Sequence, residues 1–519
     1  MITFIVRRLL LMLPTLVGIS FLIFMLIALS PGGIGAGVSA AGAGGATGAA
    51  QQQAYAEERY GLDDPVLVQY FRWLHRVSPI KFGARDQLSP GGELIRLPRE
   101  VRPAALLDWD AGEWRKARDS RSDVELLALA RAQAQAATAE PPEAYRRAAR
   151  AYAEGRVRQI DSGVEFRSAL ERYVGAVGVR GAFDSRNQPR EAIFTALTPE
   201  RSRPEWTAVE KAGRAMVEAY NGARERRAAL VVAIEARPFP QVGVPIVPGV
   251  LSVAAPDLGT SFSKNRSVAD LILTALPVTM LINLLAFPLI YAVAIPGGML
   301  AASRRGTWID SLLGALAVGL WSIPTVWAGV LAIGFLARPS GGLGAFPVAG
   351  LHDNAAAYFA FLPNVSSSGA FERGWLLDLL WHIALPVACL VYGGFAVLSK
   401  QTRAAMLENF SADYVRTAKA KGVPRRDVVL RHVFRNSLLP LITMFVSIFP
   451  AMLAGSVIVE QIFSVPGMGS LMIESINVRD REVILANTLM IAIVNLLALL
   501  GADLLYALAD PRVSYGSER

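Results

Sequence analysis

The sequence predicts an all-α polytopic membrane protein with six transmembrane helices and a large, mainly α-helical soluble insert between helices 1 and 2. Three observations carry that prediction. First, charge is partitioned. The 519 residues are 53% hydrophobic and 18% charged, against roughly 25% charged in soluble proteins. Residues 51–250 hold 31 Lys+Arg and 27 Asp+Glu, which leaves 37 charged residues for the other 319. Second, outside that region apolar runs recur at the length of about 20 residues that crosses a bilayer. Third, the basic residues of the short loops fall mostly on one side.

The first run, Leu9 to Leu29, is interrupted only by Pro14, Thr15, Gly18 and Ser20 and follows Arg7-Arg8. A signal peptide is the competing reading, with Val38-Ser39-Ala40 imitating a cleavage site. Its apolar core would be shorter, about 7–15 residues, so a retained first helix is expected within residues 1–31. The uncharged Gly/Ala tract Gly32 to Ala50 reads as a flexible exit. The extracytoplasmic segment is placed at 32–265, with the insert at about 75–255. Its helices are expected to begin at capping boxes, Ser122 with Glu125 and Thr207 with Glu210. Val209, Ala212, Met216 and Tyr220 then recur at helical spacing. The Pro-rich stretch Arg237 to Gly249 reads as an extended linker.

A five-helix core is predicted over 266–519. Its spans are Leu271 to Leu300, Leu312 to Leu336, Leu379 to Leu398, Leu438 to Val459 and Val483 to Leu508. The first contains Pro277, Pro288 and Pro296, and the second has Pro324 near its middle. Packed neighbours can satisfy the carbonyls that such prolines free. With both termini cytoplasmic, fifteen Lys/Arg of the short loops and ends lie inside and four (Arg338, Arg373, Arg479, Arg481) outside. That bias is the positive-inside pattern, and it leaves the insert extracytoplasmic. The net charge of +9 is spread over span ends with no compact basic stripe, so nucleic acid is not an expected partner. Cys389 is the single cysteine and reads as a packing residue.

The loop 400–437 between the fourth and fifth spans is longer than a turn requires. Its "DYVRTAKAKGVPRRDVVLRHVFRNSLLP" (Asp413 to Pro440) resembles the cytoplasmic coupling motif of ABC importer permeases of the dipeptide/oligopeptide/nickel family. "VIVEQIFSVPGMGSLM" (Val457 to Met472) and "DLLYALADPRV" (Asp503 to Val513) resemble further blocks of that family. So do "RYGLDDPVLVQYFRWL" (Arg59 to Leu74) and "LGTSFSKNRSVADLILTALPVT" (Leu258 to Thr279). Their order resembles the first-type (B-like) subunit, and the large insert is a departure from it. A second departure is Arg416-Thr417-Ala418 where the family name-giving Glu-Ala-Ala stands.

The resemblance implies the type I importer permease fold and alternating access. It implies a second homologous permease subunit, two cytoplasmic ATPases and an extracytoplasmic solute-binding protein. ATP and Mg would sit on those ATPases, since this chain has no phosphate-binding motif. Arg416, Thr417, Ala418, Lys419, Ala420, Lys421 and Gly422, with Leu439 and Pro440 behind them, would couple to the ATPase. A short helix from Asp413, ended by Gly422 and Val423-Pro424, suits that task, and another helix is expected from Asp427. Ala418 and Ala420 are expected to permit close approach, whereas Lys400, Arg403 and Arg435 read as topological anchors.

Polar groups inside the spans are costly, so Asn283, Asn487, Asn495 and Asp503 are candidates for a pathway, each with a structural role as the competing reading. His382 belongs to the same class. Glu460 with Pro466 and Gly467 is expected to cap the fifth helix on the outer side as a gate, a docking rim or a plain turn. Four scattered histidines, with no H-E-x-x-H and no G-x-S-x-G, give no catalytic or metal site. A membrane-anchored enzyme with its site in the insert, or an ATP-independent secondary transporter, are the alternatives.

Overall fold

The computed structural model describes residues 2–29, 45–61, 64–92, 94–103, 113–136, 139–179, 183, 202–261, 263–338, 342–365, 369 and 371–509. The chain forms two compact units. One joins Met1–Ile27 to Leu258–Arg519, and the other is Ala28–Asp257. Helix α1 is Ile2–Leu29, carrying Pro14 inside it. The signal-cleavage mimic and most of the Gly/Ala tract lie outside the described residues. The last six residues of that tract, from Gly45, open a helix instead.

In the Ala28–Asp257 unit the helices are α2 (Gly45–Tyr60), α3 (Val66–Val77), α4 (Glu113–Arg118), α5 (Asp123–Ala136), α6 (Pro141–Val177) and α7 (Pro204–Glu235). The long pair α6 and α7 builds the core from Phe166, Leu170, Tyr173, Val209, Met216 and Ala223, all at most 2% exposed. Burying each large side chain stabilises the unit by about 1.5–3 kcal/mol. Gly213 is required there, because a Cβ would sit 2.5 Å from the Trp114 ring. Polar ties surround this core. Asp64 meets Arg72, Arg99 and Arg102, and Asp257 lies between Arg59 (3.2 Å) and Arg96 (2.7 Å). Burial pushes the Asp257 carboxyl up, but the two guanidinium groups outweigh it and hold the group at about 2.

The Ser122–Glu125 capping box forms with reciprocal bonds of 2.9 and 3.3 Å. Thr207 does not cap. Helix α7 starts four residues earlier, with Arg203 at the N-cap and Pro204 in the first turn, where its fixed φ suits a helix start. The Pro-rich stretch is not a plain linker either. Strands β4 (Val244–Val247) and β5 (Leu251–Val253) pair as a hairpin, and β5 also pairs with β1 (Ile80–Phe82). Pro248-Gly249 makes the turn, with Gly249 at φ +75° and a Val250 N–H to Val247 C=O bond of 3.1 Å. Pro followed by a positive-φ Gly is what a tight reversal requires. Strands β2 (Gln87–Leu88) and β3 (Leu94–Ile95) form a separate pair.

The membrane unit continues with α8 (Val268–Ser303), α9 (Trp308–Ser322), α10 (Thr325–Ala332), α11 (Gly374–Phe410), α12 (Asp413–Ala420), α13 (Arg425–Asp427), α14 (Arg435–Ile462), α15 (Met468–Asn477) and α16 (Arg481–Ala509). Among the described residues, α1, α8, α11 and α16 are long and apolar enough to cross a membrane. The run Leu312 to Leu336 is not one straight span. It breaks at Ile323-Pro324 and bends by 91° between α9 and α10, because Pro324 cannot continue the helix. The run Leu438 to Val459 lies in the 28-residue α14; the side chains of 445–455 are outside the described residues. Helices α8 and α11 approach through small residues. A Cβ on Gly394 would lie 2.5 Å from Ile290, and one on Gly298 would lie 2.6 Å from Thr402. In lipid such close backbone packing replaces the hydrophobic drive.

Candidate functional site

Helix α12 is eight residues long, and its sequence divides it into two faces. Val415 and Ala418 are buried three residues apart and join Ala302 of α8, Met406 of α11, Val428 and Val433 in one apolar cluster. Arg416, Thr417, Lys419, Ala420, Lys421 and Gly422 are exposed. The placement of Ala418 corrects its expected part in outward close approach: its methyl faces the chain's own core, and only Ala420 faces outward. The helix stops at Gly422, whose φ is +72°. Gly422 N–H donates to the Lys419 carbonyl at 3.0 Å and Val423 N–H to that of Ala418 at 3.2 Å, the pattern of a glycine-terminated helix. The next helix starts at Arg425 rather than Asp427. It runs through a π-helical stretch, Val428–Phe434, into α14, which carries Leu439 and the half-buried Pro440. The Leu439 side chain is outside the described residues.

Three polar ties fix this loop. Asn409 donates to Ser437 Oγ at 3.1 Å and accepts from the Tyr414 hydroxyl at 2.6 Å, joining α11, α12 and α14. Arg425 donates to the Ser303 carbonyl at 2.9 Å. Arg403 forks onto Asp310 at 2.6 and 2.8 Å, and the Asp310 carboxylate also accepts from Gly306 N–H at 3.0 Å. Arg403 is therefore a partner in a bidentate pair rather than a bare topological cation. A planar fork on a carboxylate is the strong form of an ion pair.

At the far end of α14 stands Glu460, fully buried. It does not end its own helix. It accepts from Thr279 Oγ1 at 2.7 Å, Gly469 N–H at 2.7 Å and Ser470 N–H at 3.1 Å. The last two belong to the first turn of α15, where free N–H groups and the helix dipole favour negative charge. Gly467 is needed at this junction, since a Cβ would sit 2.4 Å from the Glu460 carboxyl carbon. Pro466 is exposed beside it. Thr279 Oγ1 accepts from Met468 N–H at 2.8 Å, and Asn487 Nδ2 donates to the Met468 carbonyl at 2.8 Å. Asn283 Nδ2 donates to the Thr279 carbonyl at 2.8 Å. The structure thus brings Asn283, Asn487, Glu460 and Gly467 into one network across α8, α14, α15 and α16. Asn495 lies eight residues further along α16 and outside it. Asp503 pairs with Arg8 of α1 at 3.2 Å. His382 bonds the carbonyl of Asp378, one turn before it, at 2.8 Å.

Two family models match the chain. Residues 294–515 match the binding-protein-dependent transport system inner membrane component, and residues 1–87 match the N-terminal part of such membrane components. The oligopeptide transport system permease AppB of Bacillus subtilis is 37% identical over 261 residues, 50% of this chain and 76% of its own. The chain belongs to this family of ABC importer permeases. The di/tripeptide permease DppB of Pseudomonas aeruginosa is 34% identical over 269 residues, 51% of this chain and 78% of its own. The inner membrane ABC transporter permease YejB of Escherichia coli O157:H7 is 35% identical over 260 residues, covering 50% and 68%.

In this ABC importer permease the matched segments contain α1, α12, the Asn409 tie and Glu460 with α15 and Asn487, whereas Thr279 and Asn283 of the same network lie outside them. Residues 88–293 fall between the two models. The permease is a multi-pass inner-membrane protein, a transporter component and not an enzyme. What sequence reasoning missed at the site were the partners: Thr279, Asp310 and Asn409. Only Asp310 carried a signal, as an acid at the entry to an apolar run.

Proposed function

We propose that this chain is one of two permease subunits in an ATP-driven, binding-protein-dependent importer of peptides or a related small solute. The peptide class rests on the names of the relatives. Six spans, both termini in the cytoplasm and the Ala28–Asp257 unit on the outer side are the topology that the Lys/Arg bias supports. Two ATPases, holding ATP and Mg, dock on α12, and Arg416 to Gly422 with Leu439 and Pro440 carry their motion into the bundle. A solute-binding protein delivers from outside, and the second permease completes the pathway.

The observation that carries this reading is the two-faced α12. Val415 and Ala418 root it on α8, α11 and the π-helical stretch before α14, while Arg416, Lys419, Ala420 and Lys421 are left to meet another protein. A short helix so rooted moves as a rigid body with whatever grips its outer face. At the outer end, the Glu460 network with Pro466 and Gly467 holds α15 as the gate, and Asn283, Asn487 and Asn495 are its polar lining. Asp503, held by Arg8, has a structural part instead.

Co-expression with ATPases and affinity purification test the reading. Ala420→Trp and Lys421→Glu are expected to release the ATPases while the permease keeps its melting temperature. ATPases retained by both variants, or uptake that persists without ATP, would overturn the docking assignment. The second outcome would point to a secondary transporter.

A further inference from the structure

The three-stranded sheet of the Ala28–Asp257 unit is built with its apolar side out. Ile80 pairs with Val253 and Phe82 with Leu251, and Val244 and Val247 flank the same two residues of β5. Directly paired residues project to one face of a sheet, so these side chains form one apolar face across all three strands. Lys81, Ser252 and Pro245, paired in the alternate register, form the other. An antiparallel sheet normally buries its apolar face and wets its polar one. Here Phe82 is 67% and Val244 71% exposed, whereas Ser252 is 2% exposed. Lys81 points back into the unit, with Nζ donating to the carbonyls of His75 at 2.9 Å and Arg76 at 2.6 Å.

The patch extends onto α3. Leu67, Phe71 and His75 follow one another at four-residue spacing on the exposed side, and the His75 ring lies 6.5 Å from that of Phe82. Ile246 at the strand irregularity and Val250 in the turn are exposed as well. A contiguous apolar surface of this kind marks a binding face rather than ordinary surface.

Two observations select the occupant. Residues 66–85 carry Arg72, His75, Arg76, Lys81 and Arg85 without one acid, and residues 241–255 carry no charge. Asp86 follows directly and pairs with Arg96, so the rim is mixed on that side, but an apolar face whose β4–β5 side carries no charge complements the acyl-chain boundary of a bilayer. The patch is also tethered. Val253 stands 15 residues before Val268, the first residue of the membrane-crossing α8, a reach of at most about 50 Å. We infer that the outward face of β1, β5 and β4, together with Leu67 and Phe71, is seated in the interfacial layer of the bilayer.

The test is spin-label accessibility in the full chain with its partners, in bilayer discs of phosphatidylethanolamine and phosphatidylglycerol. Cys389 is the only cysteine, so a Cys389→Ala background takes single labels at Phe82→Cys and Ile246→Cys. Val124→Cys, exposed on α5, is the reference in the same unit. At 82 and 246 the ratio of oxygen to nickel-chelate collisions is expected to exceed that at 124 several-fold. Ratios equal to that at 124 would mean a solvated face and overturn the inference. Exclusion of both reagents would mean a protein cover and overturn it equally. Val253→Cys, on the same face, replaces either variant that fails to give a monodisperse complex.

Discussion

Removing the Glu460 carboxylate is expected to unseat α15, and the size of the effect follows from the three donors on α8 and α15, with Ser456 of its own helix as a fourth. In Glu460→Ala, Thr279 Oγ1–H, Gly469 N–H and Ser470 N–H lose their acceptor in a buried site. At about 1–3 kcal/mol for each orphaned donor, and with some relief from no longer burying a carboxylate, the expected cost is about 3–5 kcal/mol. Glu460→Gln costs less, about 1–2 kcal/mol. Its amide oxygen can take the two backbone donors while the Thr279 hydroxyl loses its acceptor. Thr279→Val removes the same bond from the other side and also strands Met468 N–H. The decisive quantity is the coupling in the double-mutant cycle of Glu460→Ala with Thr279→Val, expected at about 1.5–3 kcal/mol for a bond to a buried carboxylate. Equilibrium unfolding in mixed micelles measures the four corners, and hydrogen exchange at Gly469 and Ser470 reports α15 directly. A coupling under about 0.5 kcal/mol, the scatter of independent sites, would refute the reasoning, as would unchanged exchange at those two amides.

Ala418→Leu forces extra volume among Met406, Val415, Val428 and Val433 and is expected to cost about 1–3 kcal/mol, read as a lower melting temperature. Asp310→Asn removes one arm of the fork from Arg403 and weakens the hold on Gly306. With Arg403 about a third exposed, the cost is about 1 kcal/mol, and Arg403→Lys is expected to lose a similar amount because an ammonium cannot fork. Asp257 has its folded value lowered to about 2, below its unfolded value. Its contribution is complete above roughly pH 4 and is lost as pH falls toward 2, by about 2 kcal/mol. Exchange protection in the Ala28–Asp257 unit should drop across that window, and Asp257→Asn should remove this step.

Much of the fold was legible because it is written in local pattern. The apolar runs of α1, α8, α11 and α16, the Ser122–Glu125 box and the Gly422 stop each depend on residues close along the chain, and each forms. Local signals failed where two of them competed. Thr207 has the capping pattern, but Pro204 can start the helix a turn earlier and does. The stretch Arg237 to Gly249 is rich in breakers, yet Pro248-Gly249 is also a turn, and the valines around it find β1. Pro324 sits within an apolar run whose composition says span, while its missing N–H breaks that run by 91°.

The sequence by itself determined the class of the chain, the membrane-crossing lengths of four of its helices and the short glycine-ended helix Asp413–Ala420. These are consequences of burial and of backbone geometry close along the chain. Only the tertiary structure decided which polar groups meet. Thr279 and Glu460 are 181 residues apart, and Asp310 and Arg403 are 93 apart. Nothing local distinguishes a buried carboxylate that holds a neighbouring helix from one that lines a path. Tertiary structure also decided that Ala418 faces inward and that a Val- and Phe-bearing sheet faces outward. A period of two says which side chains share a face, but the rest of the fold chooses which face is covered.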